Sequence, residues 1–140
     1  MIREIVESDI DKCANLLIDA YNCEPWNNNW TEITAKRYLN EFYNSRNFIG
    51  YVYLQDDETV GAVFAHRRTW WTNDEIYIDE IYIKPNAQGK GCGTKLLCKI
   101  EEHSRKEKLG GVTLLTNKYF PAADFYRKKG YSHAEHVIFI

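Results

Sequence analysis

What this sequence lacks excludes several classes of protein. Acidic residues slightly outnumber basic ones, and the net charge of −2 offers no positive field for nucleic acid or for an anionic membrane surface. No apolar run approaches the ~20 residues of a membrane-spanning helix. The N-terminal residues, MIREIVESDIDK, are charged from position 3 and contain no signal-peptide core. We therefore expect a protein that binds neither nucleic acid nor membrane.

Paired cysteines and metal-site spacings are also missing. The four cysteines, Cys13, Cys23, Cys92 and Cys98, form no CxxC motif, and the histidines have no zinc-site spacing. We expect free thiols in a cytoplasmic protein and no bound metal. Cys92 lies among glycines with no histidine near it in the sequence, so we interpret it as a small tolerated residue rather than a nucleophile.

Aromatic residues are abundant, with ten Tyr, six Phe and four Trp, in a chain of otherwise ordinary globular composition. Apolar periodicity and turn residues predict one α+β domain over residues 1–140. Strands are predicted at residues 2–6, 48–54, 59–68, 76–83, 112–116 and 137–140. Helices are predicted from Ser8 to Tyr21, from a cap at Thr31 onward, and over residues 91–108 and 121–129.

A glycine-rich turn joins the strand at residues 76–83 to the longest predicted helix. It consists of Gln88, Gly89, Lys90, Gly91, Cys92, Gly93 and Thr94. Such a turn aims several unpaired N–H groups of a helix N-terminus at one point, where they can hold a phosphate. The GxGxG spacing differs from the dinucleotide GxGxxG and from a P-loop, and excludes both. A merely tight turn is the remaining structural alternative.

Two acids, Asp79 and Glu80, interrupt the strand just before this turn. Strand alternation places consecutive side chains on opposite faces unless a bulge intervenes. Either acid could serve chemistry, pair with a lysine or cap the sheet edge.

The pattern Gln88-x-x-Gly91-x-Gly93 resembles the pyrophosphate-binding signature of the GCN5-related N-acetyltransferases (GNAT), which is Arg or Gln-x-x-Gly-x-Gly or Ala. The surrounding order of strands and helices is similar as well. A strand ending at Thr116 and Asn117 follows, and then a helix carrying Phe125 and Tyr126. Within the family, PWNNNW and FYRKKGY look most like the branch of aminoglycoside 6′-N-acetyltransferase-type proteins.

The resemblance implies an α/β/α layered fold whose mixed, mostly antiparallel sheet has about four helices and a splayed central strand pair. It implies an N-acetyltransferase that uses acetyl-CoA as donor. A primary amine of a small, cationic acceptor would attack directly in a ternary complex. The alternative is a non-catalytic acyl-CoA-binding or sensing module on the same fold.

The resemblance also suggests roles for individual residues. The turn residues would hold the pyrophosphate, and the backbone of Ile81, Tyr82 and Ile83 would face the thioester arm. Asn117, Phe125 and Tyr126 would complete the cofactor site, with the Tyr126 hydroxyl as general acid. We favour Glu80 as base and Asp79 as amine anchor, although these two roles could be reversed.

The acceptor pocket is predicted where four tryptophans cluster in two loops: Trp26, Trp30, Trp70 and Trp71. Aromatic faces beside Asp79 and Glu80 suit a cationic amine, whereas Trp26 and Trp30 could instead plug the seam between helices and sheet. A polyamine, an aminoglycoside, an amino acid and a peptide amine are all compatible. The apolar strand predicted at residues 137–140 needs covering, which favours a homodimer.

Overall fold

A computed structural model describes all residues, Met1–Ile140, and shows one five-stranded sheet at the centre of the fold. The strands are β1 (Ile2–Glu4), β2 (Phe48–Gln55), β3 (Glu58–Arg68), β4 (Glu75–Ile83) and β5 (Val112–Leu114), and they lie side by side in that order. The pairs from β1 to β4 are antiparallel, whereas β5 runs parallel to β4. The predicted mixed, mostly antiparallel sheet is confirmed.

Four helices cover the two faces of the sheet. They are α1 (Ile10–Tyr21), α2 (Glu32–Tyr43), α3 (Cys92–Lys106) and α4 (Pro121–Lys128). Residues of α1 and α2 pack with Phe64 in one apolar core, and residues of α3 and α4 pack with Val63 in the other. Alternation along β3 supplies both cores, because neighbouring side chains point to opposite faces. The α/β/α layering is confirmed, and none of the helices combines the length and apolarity needed to cross a bilayer.

The two central strands diverge after a short paired stretch. β5 pairs with β4 only from Ile76, opposite Val112, to Ile78, opposite Leu114. Beyond this point β4 continues from Asp79 to Ile83 with a neighbour on its β3 side alone. The predicted splay is therefore confirmed, and it opens a cleft beside the second half of β4.

A bulge interrupts the pairing of β3 with β4 at the start of this cleft. Phe64 lies opposite Glu80 and Ala65 lies opposite Ile78, so Asp79 is the extra residue. Such an insertion changes the alternation of side chains on the bulged strand. As a result Asp79 and Glu80 both face the α1 and α2 side of the sheet, where their partners lie.

Local signals predicted most helix ends well, with one correction at α1. Thr31 caps α2 as predicted, its hydroxyl accepting from the N–H of Thr34 at 3.1 Å. Before α1, Ser8 instead lies within a 3-10 turn (Glu7–Asp9). The carboxylate of Asp9 accepts from the backbone N–H of Val6.

The predicted final strand at residues 137–140 is wrong. These residues form no strand, and their side chains are exposed. Their apolar, β-branched character suits a pleated surface, but a strand also needs a neighbouring edge to pair with.

Candidate active site

A cavity of about 220 Å³ occupies the cleft where β5 leaves β4. Three parts of the chain surround it: the loop between α1 and α2, the second half of β4, and the segment from β5 to α4. The residues that line it are Tyr21, Trp26, Asn28, Trp30, Ile78, Asp79, Glu80, Ile81, Leu114, Leu115, Thr116, Ala122 and Tyr126.

The carboxylate of Glu80 is held by two tyrosine hydroxyls. Tyr21 donates to Oε2 at 2.9 Å, and Tyr38 donates to Oε1 at 2.7 Å. Burial raises the pKa of Glu80, and the hydroxyl bonds from Tyr38 and Tyr21 oppose that rise. Burial and the charge of Glu80 also raise the pKa of both tyrosines, so they remain donors at neutral pH. Two hydroxyl donors thus fix the Glu80 carboxylate in place at the cavity wall.

Asp79 presents one engaged and one free oxygen. Nδ1 of His66 lies 2.7 Å from Oδ2 of Asp79. Oδ1 has no protein partner, yet it is not sealed from solvent. Burial raises the pKa of Asp79, while the contact with His66 lowers it. Both acids line the cavity. Facing the cavity therefore does not distinguish the base from the amine anchor.

Tyr126 brings a phenol to the opposite wall of the cavity. It lies on α4, with its ring against Phe125 and Tyr131. Its hydroxyl has no protein partner and is not sealed from solvent. Burial, with a contribution from the charge of Glu80, raises the pKa of Tyr126. The hydroxyl is therefore protonated at neutral pH, but it is a weaker acid than the ordinary tyrosine assumed from the sequence.

The glycine turn forms a cradle of backbone donors before α3. The N–H groups of residues 89–94 donate to no acceptor within the protein, and the first helical bond runs from the N–H of Lys95 to Gly91. Gly91 has φ 85°, in the left-handed region that favours glycine. No atom lies within 4 Å of where a Cβ at Gly89 or Gly91 would stand. Open space, free donors and the helix dipole fit a pyrophosphate.

The side chains of the turn contribute less to this cradle than its backbone N–H groups do. The thiol of Cys92 is buried and accepts a contact from the side-chain amide of Gln55, while its backbone N–H has no acceptor in the protein. The side-chain amide of Gln88 donates to the carbonyl of Ile83 at 3.1 Å, which ties the turn to the end of β4. Lys90 and Thr94 form no side-chain hydrogen bond within the protein, and Lys90 is exposed.

Alternation along β4 decides which of its N–H groups face the cleft. The N–H of Lys84 donates to Val60 on β3. The N–H of Tyr82 therefore points the same way, and those of Ile81 and Ile83 point to the open edge. The Tyr82 hydroxyl is buried and donates to the carbonyl of Cys13 at 2.9 Å. The prediction for Tyr82 is corrected accordingly, because both its N–H and its side chain serve the core.

Asn117 and Phe125 occupy the far side of the cleft. The Asn117 side-chain oxygen accepts from the N–H of Tyr119 at 2.9 Å, so it shapes the turn before α4. The Phe125 ring lies 3.7 Å from where a Cβ at Gly93 would stand, beside the start of α3. Phe125 is therefore next to the cradle, whereas the oxygen of Asn117 is engaged locally.

Only two of the four predicted tryptophans reach the cavity. Trp26 packs edge-on against Tyr21 and Phe120, with 5.4 Å and 4.7 Å between the ring centroids. The ring centroid of Trp30 lies 4.8 Å from that of Tyr38. Trp70 and Trp71, which the sequence placed in the same pocket, do not line this cavity, so the structure does not bring them together with the two acids. They lie in the loop before β4, at the end of the strand remote from the cleft, and Trp71 is 85% exposed.

Sequence reasoning missed three residues of this site: Tyr21, Tyr38 and His66. Tyr21 and Tyr38 occupy apolar positions in the helical pattern, and this pattern does not reveal that their hydroxyls bond a carboxylate. His66 lies on β3, 13 residues before its partner Asp79. Only the pairing of β3 with β4 brings the two together.

Known proteins are similar to this chain in sequence and in fold. The sequence model of the acetyltransferase (GNAT) family matches residues 11–131. A short stretch is similar to the thialysine N-epsilon-acetyltransferase of Sus scrofa, at 44% identity over 32 residues. That stretch is 23% of this chain and 19% of the pig protein, so the chain matches about a fifth of that relative's length.

Solved structures share the fold over the whole chain. A possible acetyltransferase from Clostridium difficile 630 superposes with a TM-score of 0.85 at 19% identity, covering 100% of this chain and 95% of that one. The aminoglycoside N-acetyltransferase AAC(6')-Iy, in complex with CoA, superposes with a TM-score of 0.78 at 14% identity, covering 100% and 92%. At these identities the likeness concerns the fold.

Proposed function

Because this chain belongs to the acetyltransferase (GNAT) family, we propose that it is an acetyl-CoA-dependent N-acetyltransferase whose acceptor is a primary amine of a small, cationic molecule. One observation carries the proposal. The cleft between the split strands brings two carboxylates and a tyrosine hydroxyl into one cavity, and the cradle of free N–H groups lies at the end of the same strand.

The cradle at the start of α3 is the proposed site for the pyrophosphate of the donor. The N–H groups of residues 89–94 would hold its oxygens, and the helix dipole favours their negative charge. When bound, acetyl-CoA supplies a thioester whose carbonyl carbon accepts the amine and whose sulfur leaves. The open edge of β4 extends from this cradle toward the cavity.

The two acids prepare the amine for attack. An alkylamine has a pKa near ~10.4, so only about one molecule in a thousand is a free base at neutral pH. The free Oδ1 of Asp79 would anchor the ammonium group, while Glu80 takes its proton. An N–H bond breaks and an O–H bond forms on Glu80. Burial supports this role, because a raised pKa makes Glu80 a stronger base.

Two further groups act on the charge that develops during transfer. The N–H of Ile81 faces the open edge of β4, where it would donate to the thioester oxygen. Tyr126 would give its hydroxyl proton to the departing thiolate as the carbon–sulfur bond breaks. Because the raised pKa of Tyr126 makes its hydroxyl a weak acid, the transfer requires a strongly basic thiolate as the sulfur departs. The attacking nitrogen loses its second proton as the amide forms, and this proton restores the Tyr126 hydroxyl, so each turnover releases one proton from Glu80 to solvent.

The charge of the cavity supports a cationic acceptor. Asp79 and Glu80 line it together with Trp26 and Trp30, and no lysine or arginine does. Indole faces and carboxylates both attract an ammonium group, whereas a carboxylate on the acceptor would meet no positive partner. Thialysine and aminoglycosides, named for similar proteins, carry amino groups as well.

The experiment is a screen for thiol release from acetyl-CoA over linear diamines, aminoglycosides and amino acids. We expect turnover with at least one diamine or aminoglycoside, and lower kcat/KM for amino acids of the same length. The alternative function, a non-catalytic acyl-CoA-binding module, predicts acetyl-CoA binding with no turnover on any amine. That result would overturn the proposal.

A further inference from the structure

We propose that Tyr21 and Tyr38 are positioning residues that hold the Glu80 carboxylate in the orientation in which it accepts the acceptor's proton. The inference rests on the proposed function and extends it to two helices outside the central strand. Neither tyrosine needs to touch the reacting atoms, because each acts through Glu80.

The contacts form a two-sided clamp. Tyr21 is the last residue of α1 and bonds Oε2, whereas Tyr38 lies in the middle of α2 and bonds Oε1. Two donors on different oxygens fix the carboxylate plane, which a single bond would leave free to rotate about the last side-chain torsion. Each oxygen keeps a second lone pair for the amine. The Tyr21 hydroxyl also lies 3.3 Å from the carbonyl of Ile81.

The tyrosine rings are themselves held by the walls of the cavity. Trp26 packs edge-on against Tyr21, and the Trp30 ring packs against Tyr38. Phe42, one turn further along α2, also packs against Tyr38, edge-on, with 4.7 Å between the ring centroids. Because both indoles line the cavity, the loop between α1 and α2 secures the clamp as well as the acceptor pocket.

The charged and titratable groups around Glu80 define what the clamp can change. These groups come from every element that packs against Glu80. They are Tyr21 from α1, Tyr38 from α2, Asp79 and Tyr82 from β4, and Tyr126 from α4. His66 of β3 reaches Asp79 rather than Glu80. Only the hydroxyls of Tyr21 and Tyr38 donate to Glu80, so only they stabilise its charged form by hydrogen bonding.

The test compares Tyr21→Phe, Tyr38→Phe and the double variant with Tyr43→Phe as the matched control. Tyr43 lies on α2 as well, its ring packs against Phe48 at 5.3 Å, and its hydroxyl has no hydrogen-bond partner in the protein. Loss of one donor to Glu80 raises the pKa of this carboxyl. We expect the acid limb of the kcat/KM profile to move up by about one pH unit per hydroxyl, since a bond to a charged group contributes on that scale. Tyr43→Phe should leave the limb in place.

A second readout needs no turnover. NMR titration of side-chain-labelled glutamate, assigned with Glu80→Gln, measures the same rise in the pKa of Glu80 directly. An unmoved pKa in the folded Tyr38→Phe and Tyr21→Phe variants would overturn the inference, as would an acid limb that stays where it is in the wild type. If the wild type acetylates no amine but the titration shifts as expected, the proposed function fails and the clamp remains.

Discussion

Asp79 and Glu80 are adjacent in the sequence, yet both carboxylates face the same cavity. The bulge opposite Phe64 and Ala65 places them there, and each is then held by a different set of partners. His66 engages one oxygen of Asp79, whereas two tyrosines engage both oxygens of Glu80. This difference in partners leads to separate predictions for the two acids.

We expect Glu80→Gln to lower kcat by about 100-fold, in the range of general-base contributions, and to flatten the acid limb of the pH–rate profile. Asp79→Asn should mainly raise KM for the amine, because it removes an anchor. Steady-state kinetics from pH 6 to pH 10 on both variants separate these outcomes. If Asp79→Asn alone flattens the limb, the two roles are reversed.

Glu80→Gln should also stabilise the folded protein at neutral pH. The pKa of Glu80 is raised by burial, so the folded state holds this proton more tightly than the unfolded state does. Ionising Glu80 therefore costs free energy of folding, and this cost is absent below the pKa that Glu80 has in the unfolded chain. The cost grows as the pH rises through the pKa of Glu80 in the folded protein, and it is complete above that pKa. Urea denaturation at several pH values should therefore show a gain for the variant at neutral pH that disappears in acid. A variant less stable than wild type at neutral pH would contradict this.

Tyr126→Phe is expected to reduce kcat by about 10-fold or more, because general acids contribute ~10²-fold at the low end of their range. KM for acetyl-CoA should change little, because the ring and its packing against Phe125 remain. An unchanged kcat across the pH range would exclude Tyr126 as the acid. Tyr119→Phe is the control, since Tyr119 is exposed and does not line the cavity.

Gly91→Ala should destabilise the protein by about 1 kcal/mol, because a non-glycine residue is strained in the left-handed region. Gly93→Ala is the matched control. It lies in α3, and a Cβ there would meet the Phe125 ring at an ordinary 3.7 Å. Thermal unfolding of both variants measures the contrast. Equal stability losses at the two positions would contradict the conformational argument.

Trp30→Ala should raise KM for the amine several-fold, in keeping with a cation–π contact of about 1 kcal/mol. Trp71→Ala should leave KM unchanged, since Trp71 is exposed and outside the cavity. The same amine serves both assays. A larger effect at Trp71 than at Trp30 would place the acceptor in the other loop.

Much of this site could be predicted from the sequence because its signals are local. The glycines of residues 89–93 form the cradle through their own backbone, and the cap at Thr31 needs only Thr34 three residues later. The strand at residues 137–140 was mispredicted for the opposite reason. Its composition suits a sheet, but the pairing edge it would require is a property of the whole fold.

The sequence by itself determined the family, the layered fold, the cradle and the pair of acids. Each of these depends on short-range patterns of glycine, apolar periodicity and charge. Only the tertiary structure decided how the acids are used. The bulge at Asp79 depends on how β3 pairs with β4, and the clamp on Glu80 depends on how α1 and α2 pack against that sheet. Such contacts join residues 13 to 59 positions apart, which no local spacing encodes.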